Sequence, residues 1–229
     1  MKKKTKVING YEFEEYKKET YDLPEMEERS REFYQWMDSR RTVRDFSDKP
    51  IAKEVIDNIL RTASTAPSGA HKQPWTFCVI SNKDLKKKIR EAAEAEEYES
   101  YHGRMNEEWL EDLKQFQTDW HKPFIDIAPY VIVVFKRAYD LDKEGNKKNN
   151  YYVNESVGLA VGFLLAAIHH AGLVALTHTP SPMNFLSKIL GRPANERPCF
   201  LIPVGYPTED TYVPKLSRKS LHDIAVFYD

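Results

Sequence analysis

Cysteine is scarce: the 229 residues contain two, Cys78 and Cys199. They stand far apart in apolar, strand-like surroundings, which argues against a disulfide-stapled fold and suits two reduced core thiols in a cytoplasmic protein. Long apolar runs are missing too. The longest, residues 157–168, falls below the roughly 20 residues of a membrane span and reads as a buried helix. Charge of one sign is absent: 34 basic residues face 35 acidic ones, a formal net charge of −1. Neither nucleic acid nor a membrane is therefore expected as a partner. Met1-Lys2-Lys3-Lys4 is basic, but residues 5–16 are polar and acidic, so no apolar signal-peptide core follows. No G-x-G-x-x-G follows a strand, which leaves no recognisable dinucleotide site. His102, His121, His169, His170 and His222 lack metal-ligand spacing, and no metal is expected. With neither repeats nor low-complexity linkers, the reading is one domain over residues 25–229 behind a poorly ordered tail, residues 1–24.

What is present suffices for a continuous core, since 41% of residues are apolar and 12% aromatic. Apolar residues at three- and four-residue spacing predict helices over 28–39 and 53–64, the second carrying Val55, Ile56, Ile59, Leu60 and Ala63. Residues 75–80 read as a strand, 83–101 as a charged helix, and 109–120 as another after Gly103. The run YVIVVF, residues 130–135, predicts a strand covered on both faces. A turn-rich stretch, 140–150, precedes a helix over 153–171 that is apolar on nearly every side and stops at Gly172. Strands at 173–177 and 199–204 bracket a short helix ending near Gly191. This order predicts an α+β sandwich with a mixed sheet. The first helix and the long central one carry more apolar surface than a single subunit of this size needs, so a homodimer is expected.

Three segments carry candidate chemistry. Arg40-Arg41-Thr42-Val43-Arg44 places three guanidiniums beside a hydroxyl, suited to a phosphate and a polar ring edge. Alone, its default reading is a solvated cluster complementing a helix C-terminus. Pro67-Ser68-Gly69-Ala70-His71-Lys72-Gln73-Pro74-Trp75 is a small-residue loop whose Gly69 permits close backbone approach and whose amides near Ala70 suit an anionic oxygen. Either half alone reads as a connecting loop. Arg218 in Leu216-Ser217-Arg218-Lys219 is a further basic position.

Together these segments resemble the flavin-binding framework of the nitroreductase family, from about Ser39 to Asp223. The resemblance implies a three-layer sandwich, an obligate homodimer and bound FMN. It implies that Arg40 and Arg218 hold the FMN phosphate, that Arg41, Thr42 and Val43 position the ribityl arm, and that Arg44 faces the N1/C2 carbonyl edge. Pro67, Ser68 and Gly69 would pack near the ring, in many members from the opposite subunit. In Thr177-His178-Thr179-Pro180 the resemblance implies that Thr177, His178 and Thr179 all meet the cofactor, with Thr179 in the place of the hydroxyl that meets flavin N5, which favours single-electron steps. His71 stands where general nitroreductases usually carry Asn, and Ser-Gly-Ala-His with Gln-Pro-Trp-Thr-Phe is similar to the iodotyrosine deiodinase branch. Glu97 and Tyr101 in EEYESYHGRM and Lys122 in DWHKPFIDIAP agree with that branch.

Glu97 and Tyr101 are four apart, hence on one face of a helix. Opposite charges at Glu97 and Lys122, with a phenol from Tyr101, complement a zwitterionic amino acid, each charge-assisted bond being worth about 1.5–3 kcal/mol where water is excluded. Residues 91–122 then form a lid that orders on substrate. The implied reaction is reductive dehalogenation of a halotyrosine whose phenolate is held by the Ala70 amide, with electrons from an external reductase or NADPH. The animal enzymes carry an N-terminal membrane anchor that this sequence lacks, which implies a soluble bacterial type. The alternatives are a general NAD(P)H-dependent nitroreductase or quinone reductase without amino-acid preference, and a non-catalytic flavin- or tyrosine-binding protein.

Overall fold

The computed structural model describes residues 4–228, so Met1-Lys2-Lys3 and Asp229 lie outside the described residues. The chain divides into two units, Met1–Arg40 and Arg41–Asp229. In the first, β1 (Thr5–Ile8) and β2 (Tyr11–Glu14) pair antiparallel around Asn9 and Gly10, both left-handed at φ 51° and 85°. A hairpin thus occupies part of the stretch expected to be a poorly ordered tail. All eight strand positions are exposed, so no alternation in burial marks them. Helix α1 (Leu23–Asp38) follows, its start fixed by Asp22, which accepts the Glu25 N–H at 3.0 Å, and by a proline in the first turn. None of its residues is buried.

The second unit runs β3 (Phe46–Ser47), α2 (Lys53–Ser64), β4 (Trp75–Ile80), α3 (Lys83–Glu99), α4 (Glu107–Lys114), α5 (Phe124–Ile127), β5 (Tyr130–Arg137), β6 (Tyr139–Leu141), β7 (Lys147–Asn149), α6 (Val153–His170), β8 (Val174–Ala175), α7 (Asn184–Ile189), β9 (Glu196–Pro207) and α8 (Leu221–Ile224). The main sheet is ordered β3-β9-β5-β4, with β8 also on β9. Its strand ladders are antiparallel, and an isolated parallel bridge between Thr42 and Ala175 makes it mixed. β6 and β7 form a separate hairpin inside the stretch read as turn-rich.

Strand β5 explains the layering. Residues 131–135 are all fully buried, and a period of two sends alternate side chains to opposite faces. Ile132 and Val134 join Ile56, Ile59 and Ala63 of α2 and Val157, Val161, Leu164 and Ile168 of α6. Val131, Val133 and Phe135 join Ile89 and Ala93 of α3, Phe124 and Ile125 of α5, and Leu186 of α7. Burying each such side chain contributes about 1.5–3 kcal/mol. The α+β sandwich is therefore helix, sheet, helix within this unit.

Helix α6 has the length and apolar composition to cross a membrane. Its Ser156, Val157, Ala160, Val161, Leu164 and Ile168 are nevertheless buried in the core shared with α2 and the sheet. The opposite side, Gly158, Leu159, Gly162 and Phe163, is exposed, so the helix is one-sidedly rather than fully buried within one chain. Gly172 ends it at φ 74°, the left-handed stop expected there.

Candidate active site

The segment after α1 enters the second unit beside β8. Thr42 bridges Ala175 in parallel, and the Val43 N–H donates to the Ala175 carbonyl at 3.3 Å. Residues 41–44 and 175–179 therefore start side by side, which delivers Arg44 and Thr177, His178 and Thr179 to one cavity of about 290 Å³. Arg41 donates through Nη2 to the Pro214 carbonyl, tying the C-terminal segment that carries Arg218 to the same stretch. Arg218 is exposed. Arg40 belongs to the first unit, where its N–H donates to the Met37 carbonyl at 3.1 Å.

The far wall comes from residues 97–124. Helix α3 is capped by Asn82, which accepts the Leu85 N–H at 2.8 Å. It ends at Glu99 and passes into a π-helical turn, Ser100–Arg104. Glu97 and Tyr101 are thus not on one regular helix, yet both line the cavity, as does Lys122. Asn106 then caps α4 by accepting the Trp109 N–H at 2.8 Å, which sets Trp109 and Leu113 into the wall. Arg104 donates to Glu96 at 2.7 Å and to the Ser181 carbonyl at 3.0 Å, bridging the turn to the opposite rim. Sequence reasoning missed Arg104, Ser100 and Phe124, whose roles depend on contacts far apart along the chain.

Electrostatically, the cavity is unusual. Glu97 and Lys122 are 8% and 3% exposed and lie 3.4 Å apart. Burial pushes the Glu97 carboxyl up and the Lys122 ammonium down from their ordinary values, and their mutual attraction opposes both shifts. Lys122 also donates to the Asp119 carbonyl, and its backbone N–H donates to Glu94 at 2.8 Å. Tyr101 donates to the Thr118 carbonyl at 3.2 Å, and its ring lies 5.6 Å from the Lys122 ammonium. Burial raises the Tyr101 phenol and lowers the Arg44 guanidinium. A buried ion pair adds little net stability because desolvation offsets attraction. Two such charges beside a cavity therefore point to ligand recognition.

Thr177 and Thr179 are exposed and His178 between them is buried. The imidazole, held down to about 3 by burial and then by the charges of Lys122 and Arg44, is neutral at ordinary pH. The loop Pro67, Ser68, Gly69 and Ala70 does not line this cavity. Pro67 and Ala70 are exposed, and Ala70, His71 and Gln73 all adopt left-handed conformations at φ 49°, 54° and 47°. Ser68 Oγ accepts the Gln73 N–H at 2.9 Å and closes the turn. The close approach at Gly69 is made by the chain itself rather than left for a ligand: a Cβ there would stand 2.8 Å from the Tyr151 carbonyl oxygen. The Gly69 N–H donates to Ser156 Oγ at 3.3 Å, fastening the loop to α6.

Comparison with known proteins agrees with this architecture. The nitroreductase family model matches residues 37–206. The iodotyrosine deiodinase of Haliscomenobacter hydrossis is 65% identical over 208 residues, 91% of this chain and 94% of that protein. The iodotyrosine deiodinase of Danio rerio is 51% identical over 90% of this chain and 70% of its own length. A crystal structure of oxidized iodotyrosine deiodinase bound to FMN and 3-iodo-L-tyrosine superposes with a TM-score of 0.73 at 33% identity, covering 86% of this chain and 98% of that one. The chain belongs to the nitroreductase family, in its iodotyrosine deiodinase branch.

Proposed function

We propose that this protein is an FMN-dependent oxidoreductase that removes halide reductively from iodotyrosine and other halotyrosines, leaving tyrosine. The observation that carries the reading is the buried Glu97–Lys122 pair, with Tyr101, in the same cavity as Arg44 and Thr177 to Thr179. An amino acid presents an ammonium and a carboxylate, and these two side chains supply the opposite charges. A nitroaromatic or quinone offers neither, so it would leave the pair desolvated with nothing gained.

The residues present fit the flavin. Arg41 and Arg44 supply guanidiniums and Thr42, Thr177 and Thr179 supply hydroxyls along two segments joined by the Thr42–Ala175 bridge. Arg40, Arg41, Thr42, Val43 and Arg218 would hold the phosphate and ribityl chain, Arg44 the N1/C2 carbonyl edge, and Thr179 N5. Bound FMN supplies the electrons that replace halide by a proton, recharged by an external reductase or NADPH. The chain's own part is positional. Glu97, Tyr101 and Lys122 fix the amino-acid end, residues 91–122 cover it and exclude water, and the Ala70 amide takes the phenolate oxygen. The N–H groups of Gly69, His71, Lys72 and Gln73 already donate to Ser156 Oγ, the Ser68 carbonyl, the Gly69 carbonyl and Ser68 Oγ, so within this loop the reading falls to the Ala70 N–H.

Pro67, Ser68, Gly69 and Ala70 complete the site in a homodimer, contributed by the partner subunit. The exposed Leu159 and Phe163 of α6, and the exposed apolar residues of α1 and of the C-terminal segment, are the surfaces such a dimer would cover. The two free thiols fit a cytoplasmic protein. The test is iodide release from 3-iodotyrosine by FMN-loaded protein with dithionite. Turnover of nitroaromatics with no release from iodotyrosine would assign the general reductase instead.

A further inference from the structure

Four buried side-chain polar atoms among the described residues have no hydrogen-bond partner: Asp126 Oδ1, Arg137 Nε, Asn150 Oδ1 and His178 Nε2. Of these, only His178 belongs to a residue lining the cavity that holds Glu97 and Lys122. An unmet buried polar atom costs about 1–3 kcal/mol, so its persistence calls for a reason. The carboxylate of Glu97 divides its oxygens: Oε2 faces Lys122 at 3.4 Å, and Oε1 faces His178 Nε2 at 3.9 Å, beyond hydrogen-bond reach. Lys122 has a second acceptor in the Asp119 carbonyl, whereas His178 Nε2 has none.

The imidazole is held in place. Its backbone exchanges two hydrogen bonds of 2.9 Å with Leu201 in β9, and its ring meets Phe124 edge-on at 5.8 Å. Glu97 sits near the end of α3, next to the π-helical turn. About 1 Å of approach between the two side chains would create an N–H···O bond of ordinary length.

We propose that His178 is a positioning residue for Glu97, donating Nε2–H to Glu97 Oε1 when the ligand's carboxylate draws on Lys122 and its ammonium meets Glu97. This rests on the amino-acid-binding reading above and adds a group to it. Only the tautomer protonated at Nε2 serves, since a lone pair aimed at a carboxylate would repel it. Neutrality matters as much. A cation in this place would saturate the carboxylate and compete with the ligand's ammonium, whereas a neutral donor steadies Glu97 and leaves its full charge for the ligand. Burial, and after it the charges of Lys122 and Arg44 facing the same cavity, keep the imidazole uncharged. Thr177 and Thr179 then serve the flavin from the exposed side of this short segment, and His178 serves the ligand's charged end from the buried side.

The test is binding to the FMN-loaded protein of 3-iodotyrosine and of 3-(4-hydroxy-3-iodophenyl)propanoate, which lacks the ammonium. We expect H178L to lower the preference for iodotyrosine over this analogue at least tenfold. H178Q, whose amide nitrogen reaches the Nε2 position, should restore it to within about threefold, and H178N, whose amide stops at the Nδ1 position, should not. An unchanged preference in H178L, or Gln and Asn variants that behave alike, would overturn the role. Failure of the unsubstituted protein to prefer iodotyrosine over the analogue would instead remove the underlying reading, and the inference with it.

Discussion

Glu97 and Lys122 show at the scale of single residues how recognition opposes stability. Each depends on the other, so removing one leaves a buried charge alone. We expect E97Q to lower unfolding free energy by about 3 kcal/mol and to weaken halotyrosine binding more than tenfold. The double variant E97L/K122M should recover most of that stability, because apolar groups replace a desolvated pair, while binding stays lost. Urea unfolding read alongside ligand titration checks both, and a double variant no more stable than E97Q would contradict the account. His178 gives a pH signature. Its folded value near 3 lies below the ordinary 6.5, so the unfolded chain binds more protons between those values. Its contribution is complete above pH 6.5 and is lost as pH falls toward 3, by up to about 1.4 kcal/mol per pH unit. Glu97, shifted upward, acts with the opposite sign. The difference between the protein and H178Q isolates the histidine: H178Q should lose less stability between pH 6.5 and 4 in thermal unfolding. The charges of Glu97 and Lys122 were legible in the sequence because their chemistry lies in the side chains. Their pairing with one another and the Asp119 carbonyl were not, since those depend on how the loop before Lys122 folds back.

Among the elements, those with strong periodicity were the most readable. Ile56, Ile59 and Ala63 mark the buried side of α2, and the unbroken run in β5 announced a strand covered on both faces. The hairpins β1–β2 and β6–β7 escaped, since their short strands carry no alternation of buried and exposed residues. The loop between α2 and β4 was recognised for its composition, but the tight join of Gly69 to Tyr151 was not. That join makes a specific expectation. In G69A the added methyl meets a backbone carbonyl that cannot rotate away, so the loop must shift, at a cost of about 1–3 kcal/mol. Differential scanning calorimetry should show a lower Tm for G69A, and an unchanged value would mean that the loop moves freely.

On the scale of the whole molecule, assembly and cofactor should act together. L159R with F163R places cations on the exposed side of α6, and we expect sedimentation to show monomers with weakened FMN retention and little halide release. A monomer that keeps full activity would show that each chain carries a complete site. FMN bound only by the folded form should raise stability by about 2.7 kcal/mol at a free concentration of about 100 times Kd, visible as a higher Tm.

Among the described residues β9 is the last strand, yet it lies inside the sheet, with β5 on one side and β3 and β8 on the other. During synthesis, β4 and β5 leave the ribosome well before the strand that completes them. Until then one edge of the YVIVVF segment is open to any passing polypeptide. A pause in translation shortly before residue 196 would therefore lengthen the time for which that edge lies open.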